Sequence, residues 1–544
     1  MEIFDIRNLS FSYPLSLRKA IDNISFTVKK GEFLCICGAT GSGKSTLLRL
    51  LKPELVTKGE RFGEILYNGR DLRSSDAKET ALSIGYVAQN PDMQIVTDKV
   101  WHELAFALEN AGMSQGETAR RISESASFFS LDHIFDEKIS ALSGGERQLL
   151  TLASVSAAEP DVLLLDEPTS SLDPISAKNF LYQLKRLNTE LGISVIIAEH
   201  RLEEVIELCD RLMVMDKGKI HLLSSPREAL SAIDKDSVYF SYLPAPARLW
   251  HKAGKDGTLP LSVREGRNYL SERFSAETLK EAPVKKNDNK AALAVEMKDV
   301  FFRYERSSPD ILKGLSLSVY ENEIFSVFGP NASGKTTALS LLCGIKKPYM
   351  GKIRIFGKPI RDYKDNSLYR ECIGYLPQDV TALFLKDSVR EELKDCDTAA
   401  LRSLIDLEAM GDIHPYDLSG GEQQLLALCK VLAGHPRLLI LDEPTKGIDP
   451  NSKENLKAVL RQLKEQGMTV IMVTHDVEFA SEVSDRCALF FKGECVSSGS
   501  VKEMLSKGQF YTTAISRMTR GIIEGAVTVE DAVKAFEKAE RAKL

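Results

Sequence analysis

The sequence predicts an α/β fold written twice in tandem, and three observations predict it. Two glycine-rich loops, GATGSGKS at 38–45 and GPNASGKT at 329–336, place Lys44 and Lys335 291 residues apart. Each loop follows an apolar, strand-like run and opens a helical pattern, such as STLLRLL from Ser45. The runs at 162–165, 195–198, 438–441 and 470–473 are Leu-rich or β-branched with no polar alternation, which suits parallel strands covered on both faces.

The remaining elements recur in the same order. LSGGERQ at 142–148 answers to LSGGEQQ at 418–424, VLLLDEPTSSLDP at 162–174 to LLILDEPTKGIDP at 438–450, and His200 to His475. From the SGG serine to the DEP aspartate is 23 residues in both copies, and from that aspartate to the histidine is 34 and 33. Two homologous units are therefore expected, each opening with a strand-like alternation at 3–10 or 294–302.

Residues 226–294 fall outside this repeat and hold 12 Lys/Arg against 9 Asp/Glu. Tyr239, Phe240, Tyr242, Leu249, Trp250 and Leu261 predict packing on the first copy, whereas KEAPVKKNDNKAA from Lys280 reads as a flexible linker. The expected divisions are a first copy at 1–228, an insert and linker at 229–293 (flexible at 280–293), a second copy at 294–515 and a helical C-terminal extension at 516–544.

At 544 residues the chain is long enough for about three to four folding units. Its 43% apolar and 27% charged content excludes collagen-like, coiled-coil and wholly disordered classes. A formal charge of −6 lacks the basic excess of a nucleic-acid binder. Nine cysteines are scattered without zinc-type spacing, and the close pair Cys35 and Cys37 alternates along a strand-like run, which points to a reducing cytosol. No apolar run approaches the roughly 18–20 residues of a membrane helix, and the N-terminus lacks a basic segment followed by an apolar stretch, so no signal peptide is expected. A membrane role would come through partners.

The pattern GxxxxGK[ST] turns successive backbone N–H groups toward a phosphate, with the lysine on the β/γ-phosphates and the hydroxyl on Mg²⁺. These roles fall to Gly38, Gly41, Gly43, Lys44 and Ser45, and to Gly329, Gly334, Lys335 and Thr336. Asp166 and Asp442, ending buried strands, are placed to hold Mg²⁺ through water, and Glu167 or Glu443 can polarise the attacking water. An acidic pair ending an apolar run is costly unless employed. His200 and His475 could sense the γ-phosphate or steady that water. Ser143, Gly144 and Gly145, like Ser419, Gly420 and Gly421, open helical patterns with a serine cap and a positive dipole end, which reads as a second anion cradle or as an ordinary helix cap.

With Gln89 and Gln378 added, this set resembles the ATP-binding cassette family over nearly the whole chain apart from the linker. The resemblance implies two tandem P-loop NTPase domains, each a RecA-like α/β core with an antiparallel β subdomain and a helical subdomain. It implies ATP and Mg²⁺ at both sites, Gln89 and Gln378 near the metal, and Thr46 and Thr337 beside the phosphates. It also implies a nucleotide sandwiched between Lys44 and Ser419, and between Lys335 and Ser143, in an intramolecular pseudo-dimer. Tyr13 and Tyr304 fall where the family stacks an aromatic on adenine; as bare tyrosines near strand ends they equally suit surface packing. Both copies carry the complete set, so both sites are expected to hydrolyse ATP, with Lys446-Gly447 in place of Ser170-Ser171 as the one departure.

QNPDMQIVTDKVWHELAFALEN at 89–110, AEHRLEEV at 198–205 and LPLSVREGRNYL at 259–270 are similar to the fused, two-cassette form of the energy-coupling factor ATPases, with LPQDVTALFLKDSVREEL at 376–393 a looser second version of the first. That resemblance implies the cytoplasmic face of the cell membrane, a transmembrane coupling subunit, a separate substrate-binding membrane subunit and no nucleic acid. The alternative is a soluble twin-cassette ATPase acting as a switch on ribosomes or nucleic acid; the insert, with its aromatic groups and pliant tail, is poor material for an RNA probe. Val100, Leu104 and Leu108 at i, i+4, i+8 could face a groove for a partner's coupling helix, although spacing alone favours core packing. The distance from glutamine to the SGG serine is 54 residues in the first copy and 41 in the second, so the two helical subdomains are expected to seat different coupling helices.

Overall fold

The apolar runs of the first copy form a six-stranded sheet in the order Lys219–Ser224, Arg211–Asp216, Phe33–Gly38, Ser194–Ala198, Val162–Asp166, Ile84–Val87. All pairings are parallel except that of the edge strand Lys219–Ser224. The strands Phe33–Gly38, Val162–Asp166 and Ser194–Ala198 are buried along their whole length, as two-sided coverage requires. Each such Val, Ile or Leu contributes about 1.5–3 kcal/mol by leaving water. A four-stranded antiparallel sheet (Ile21–Lys29, Glu2–Ser12, Glu60–Tyr67, Arg70–Asp71) shares one core with it through Phe4, Phe11, Leu34, Leu47 and Ile196. Helices Val100–Asn110, Gln115–Phe128 and Gly144–Ser156 pack on one another as the helical part.

The computed structural model describes residues 1–14, 18–56, 58–274, 279–280, 292–364, 367–394, 396 and 410–543. They divide into two units, Met1–Pro244 and Ala245–Leu544. The second unit repeats the architecture. Its six-stranded sheet runs Ile373–Leu376, Leu438–Asp442, Thr469–Val473, Ile324–Phe328, Arg486–Phe491, Glu494–Ser500, beside an antiparallel sheet of Leu312–Tyr320, Leu293–Phe302, Met350–Ile355 and Lys358–Pro359. Part of the shortened segment between Gln378 and Ser419, at 395 and 397–409, lies outside the described residues, as does the expected linker over 281–291. No helix among the described residues is long and apolar enough to cross a membrane.

The insert departs from the sequence expectation. Tyr239 stacks on His221 with ring centroids 5.4 Å apart, and Tyr242 lies near His200, so this part belongs to the first unit. Like Leu261, Leu249 and Trp250, expected on the first copy, belong instead to the second unit. Their helix Ala245–Lys252 packs on Ala514–Thr519 and Val529–Lys543, and helix Val263–Arg273 packs on Ala514–Thr519. Lys252 bonds Glu530 at 2.6 Å, and Phe274 meets Phe536 edge to face at 4.5 Å. The physical reason is amphipathicity: a short helix pair buries its apolar face best against another pair. Each pair follows a short helix, Pro226–Ala232 or Val501–Lys507.

Candidate active site

Strand order brings the motif residues to one edge of each sheet. Phe33–Gly38 lies between Ser194–Ala198 and Arg211–Asp216, with Val162–Asp166 one strand further, so the loop at 38–45, Asp166-Glu167 and His200 all leave the carboxyl ends of neighbouring strands. Ligands of open α/β sheets collect at that edge. Gly38 has φ 149°, and a Cβ there would stand 2.2 Å from the Met215 carbonyl oxygen; Gly329 has φ 151° with a Cβ 2.3 Å from that of Phe490. Only glycine lets the chain turn there.

Lys44 Nζ donates to the carbonyls of Gly38 (2.9 Å) and Ala39 (3.2 Å) and lies 3.8 Å from Glu167. Lys335 Nζ donates to those of Gly329 (2.9 Å) and Pro330 (2.8 Å). Ser45 Oγ donates to Asp166 Oδ1 at 2.8 Å, and Thr336 Oγ1 to Asp442 Oδ1 at 3.3 Å. Burial pushes both aspartates above the ordinary carboxylate range, opposed by those hydroxyls. Asp442 Oδ2 is buried with no hydrogen-bond partner among the described residues. A buried, unsatisfied carboxylate oxygen beside a hydroxyl is the hard-oxygen donor set that Mg²⁺ takes, so the residues present fit the ion.

The glutamates are held in strained backbone. Glu167 and Glu443 have φ 47° and 52°, unfavourable for a side-chain-bearing residue, and are pinned by N–H donation to Ala198 O (3.0 Å) and Val473 O (2.9 Å). His200 Nε2 lies 2.7 Å from Glu167 Oε1, and His475 Nε2 3.2 Å from Glu443 Oε1. Gln89 Nε2 donates to Glu167 Oε2 at 3.3 Å, but among the described residues no hydrogen bond joins Gln378 to Glu443. Burial pushes the Glu443 carboxyl up to about 7.

Other expected residues find simpler settings. Tyr13 and Tyr304 bond the hydroxyls of Thr46 (3.0 Å) and Thr337 (3.2 Å), and the Tyr304 ring is 58% exposed beside Lys346. Ser143 and Ser419 each close a capping box with Glu146 or Glu422. Gly145 and Gly421 press on Ser176 and Ser452, which leave no room for a Cβ. Gly41 has open space around it, and its counterpart in the second loop is Ala332, at φ 58°. Gly43 and Gly334 end the loops at φ 104° and 95°, capping helices Lys44–Leu50 and Lys335–Leu342, while Gly144 and Gly420 open the SGG helices.

The stripe Val100, Leu104 and Leu108 is fully buried, so it is core and not groove. The exposed apolar groups near Gln89 are Met93 (84%), Val96 (61%) and Phe106 (44%). Buried Glu103 steadies that segment by accepting from Val96 N (3.1 Å) and Thr97 N (3.0 Å).

Sequence reasoning missed Tyr86, whose hydroxyl donates to Asp166 Oδ2 at 3.2 Å, and Glu199, which is 2% exposed and bonds Thr169. Aligning the copies was the available signal, since Tyr86 matches Tyr375 while Glu199 faces Thr474.

The profile of the ABC transporter family matches residues 21–170 and 312–446, the regions carrying these loops and carboxylates. The chain belongs to this family. A Bacillus cereus protein named as an ABC transporter ATP-binding protein is 39% identical over 98% of this chain and 97% of its own length. A Methanosarcina mazei protein of the same designation is 33% identical over 91% and 89%. Among solved structures, archaeal ribosome recycling factor aABCE1, in complex with ribosomal stalk protein aP1, aligns with a TM-score of 0.59 over 92% of this chain and 91% of that one; at 20% identity this is a likeness of fold alone. The chain is thus an ABC-type ATPase of two cassettes, with ATP as substrate and Mg²⁺ as the associated ion.

Proposed function

We propose that this ATPase energises a membrane importer of the energy-coupling factor type, engaging a transmembrane coupling subunit and a separate substrate-binding subunit at the cytoplasmic face of the membrane. The observation that carries the reading is the segment after Gln89. Its exposed Met93 and Val96 stand on a loop anchored by buried Glu103, and Gln89 itself touches Glu167. A partner seated on that loop would bear directly on the hydrolytic carboxylate. Exposed apolar groups on a rigid support suit a protein contact.

In this mechanism the loops at 38–45 and 329–336 present backbone N–H groups to the phosphates, and Lys44 and Lys335 exchange their carbonyl partners for phosphate oxygens. Asp166 with Ser45, and Asp442 with Thr336, would hold Mg²⁺, which when bound neutralises charge on the β- and γ-phosphate oxygens. Glu167 and Glu443 accept the proton of the attacking water as its oxygen bonds to the γ-phosphorus and the bond to the ADP oxygen breaks. His200 and His475 orient those glutamates. Ser143 and Ser419 are proposed to contact the nucleotide held by the opposite cassette. Different affinities of the ATP-bound and product states for the transmembrane partner would supply the work.

Purification of the tagged chain from native membranes tests this reading. Recovery of integral membrane subunits, lost on Met93→Asp/Val96→Asp substitution with ATP binding retained, is the expected result. Recovery with ribosomes or nucleic acid and without membrane subunits overturns it.

A further inference from the structure

In the first cassette the site histidine has a polar anchor on one ring nitrogen and none on the other. His200 Nε2 lies 2.7 Å from Glu167 Oε1, whereas Nδ1 is buried with no hydrogen-bond partner among the described residues. The torsion that turns an imidazole is soft, so a histidine serving a carboxylate ordinarily has its second nitrogen fixed by another polar group. His200 has an aromatic neighbour: its ring centroid is 6.3 Å from that of Tyr242, at an interplanar angle of 44°.

Tyr242 is itself held in place. It ends the short helical turn Val238–Tyr242, capped at its start by Ser237 Oγ, which accepts from Tyr239 N at 3.2 Å. Tyr239 lies 6.3 Å from Tyr242 and stacks at 5.4 Å on His221 of the edge strand Lys219–Ser224. Both tyrosines are buried. A row of rings, His221, Tyr239, Tyr242 and His200, thus runs from the edge of the sheet to the ATP site, each neighbouring pair within the roughly 4.5–7 Å at which aromatic rings attract. The two tyrosines lie in the insert, to which none of the phosphate-site motifs extends.

We propose that Tyr242 is a positioning residue for hydrolysis in the first cassette: its ring takes the place of an Nδ1 partner and sets the angle at which His200 meets Glu167. With a single polar anchor the imidazole can swing about the Nε2 contact, and close packing is what opposes that swing. The inference rests on His200 orienting Glu167, as in the mechanism above.

The test is rapid-quench measurement of the first turnover of the full chain in the Glu443→Gln background, where hydrolysis comes from the first site. Tyr242→Leu should slow it by about three- to tenfold, the range of one aromatic pair expressed on a barrier. The ATP concentration giving half-maximal rate should stay within about twofold. Tyr242→Phe, which keeps the ring, should recover the rate to within about twofold of the parent. The Tyr242→Leu/His200→Ala double variant should be no slower than His200→Ala, because a residue acting through His200 then has nothing to act on. A double variant slower than His200→Ala, or loss of ATP binding in Tyr242→Leu, marks a purely structural ring and overturns the proposal. An unslowed His200→Ala sinks the role of His200 itself, whereas a slowed His200→Ala beside an unslowed Tyr242→Leu sinks only that of Tyr242.

Discussion

Ser45 Oγ donates a 2.8 Å hydrogen bond to Asp166 Oδ1, joining residues 121 positions apart at the carboxyl edge of one sheet. The second cassette repeats the pair with Thr336 and Asp442. If these pairs hold Mg²⁺, Ser45→Ala combined with Thr336→Ala should raise the Mg²⁺ concentration needed for half-maximal hydrolysis by about tenfold, a typical cost of disturbing an ion's ligand shell. Titrating Mg²⁺ at saturating ATP reads this directly, and an unchanged midpoint rejects the assignment.

Glu443 is buried, pinned at φ 52° and 3.2 Å from His475 Nε2. Glu443→Gln preserves shape while removing the proton acceptor. It should leave fluorescent-nucleotide binding within about twofold and lower turnover from its site by on the order of 100-fold or more, with transport stopped. Normal turnover in this variant would refute the role.

Ala332 occupies a left-handed conformation that its counterpart Gly41 adopts freely. Ala332→Gly should stabilise the second unit by about 1 kcal/mol, and Gly41→Ala should destabilise the first by a similar amount through strain without a clash. Denaturant unfolding of the full chain gives both values. Equal midpoints in the two variants would contradict this account.

Glu199 sets a pH dependence of stability. Its folded value, about 7, lies above the 4.5 of an exposed glutamate because burial disfavours the charged form. A raised value means its contribution is fully present below 4.5 and is lost as pH rises through about 7, spanning up to about 3 kcal/mol. Glu199→Thr abolishes that contribution. Its melting temperature relative to wild type should therefore rise between pH 5 and pH 8 (a span of roughly three units around the shift), and a difference that falls over this range would show the opposite sign.

Much of the site is legible in the residues themselves. GATGSGKS and GPNASGKT, the DEP carboxylates and the histidines are local patterns whose residue types follow from phosphate and proton chemistry, and the sheet places them together. Tyr86 is not legible in this way, because a tyrosine in an apolar strand has no local mark of the carboxylate it meets 80 residues later. Val100, Leu104 and Leu108 show the limit of periodicity: it identifies one helical face correctly but cannot say whether that face meets core or partner.

The sequence alone determined the tandem α/β architecture, the family and the chemistry of each motif, since these depend on short-range residue types and on spacings repeated in two copies. Tertiary structure alone decided where the insert goes. Leu249 and Trp250 pack with the C-terminal helices of the second unit because burial is satisfied by whichever apolar face lies nearest in space, which no local pattern specifies. It also decided that Glu199 takes the His200 N–H while Glu443 keeps that of His475, a division of donors set by side chains meeting across neighbouring strands.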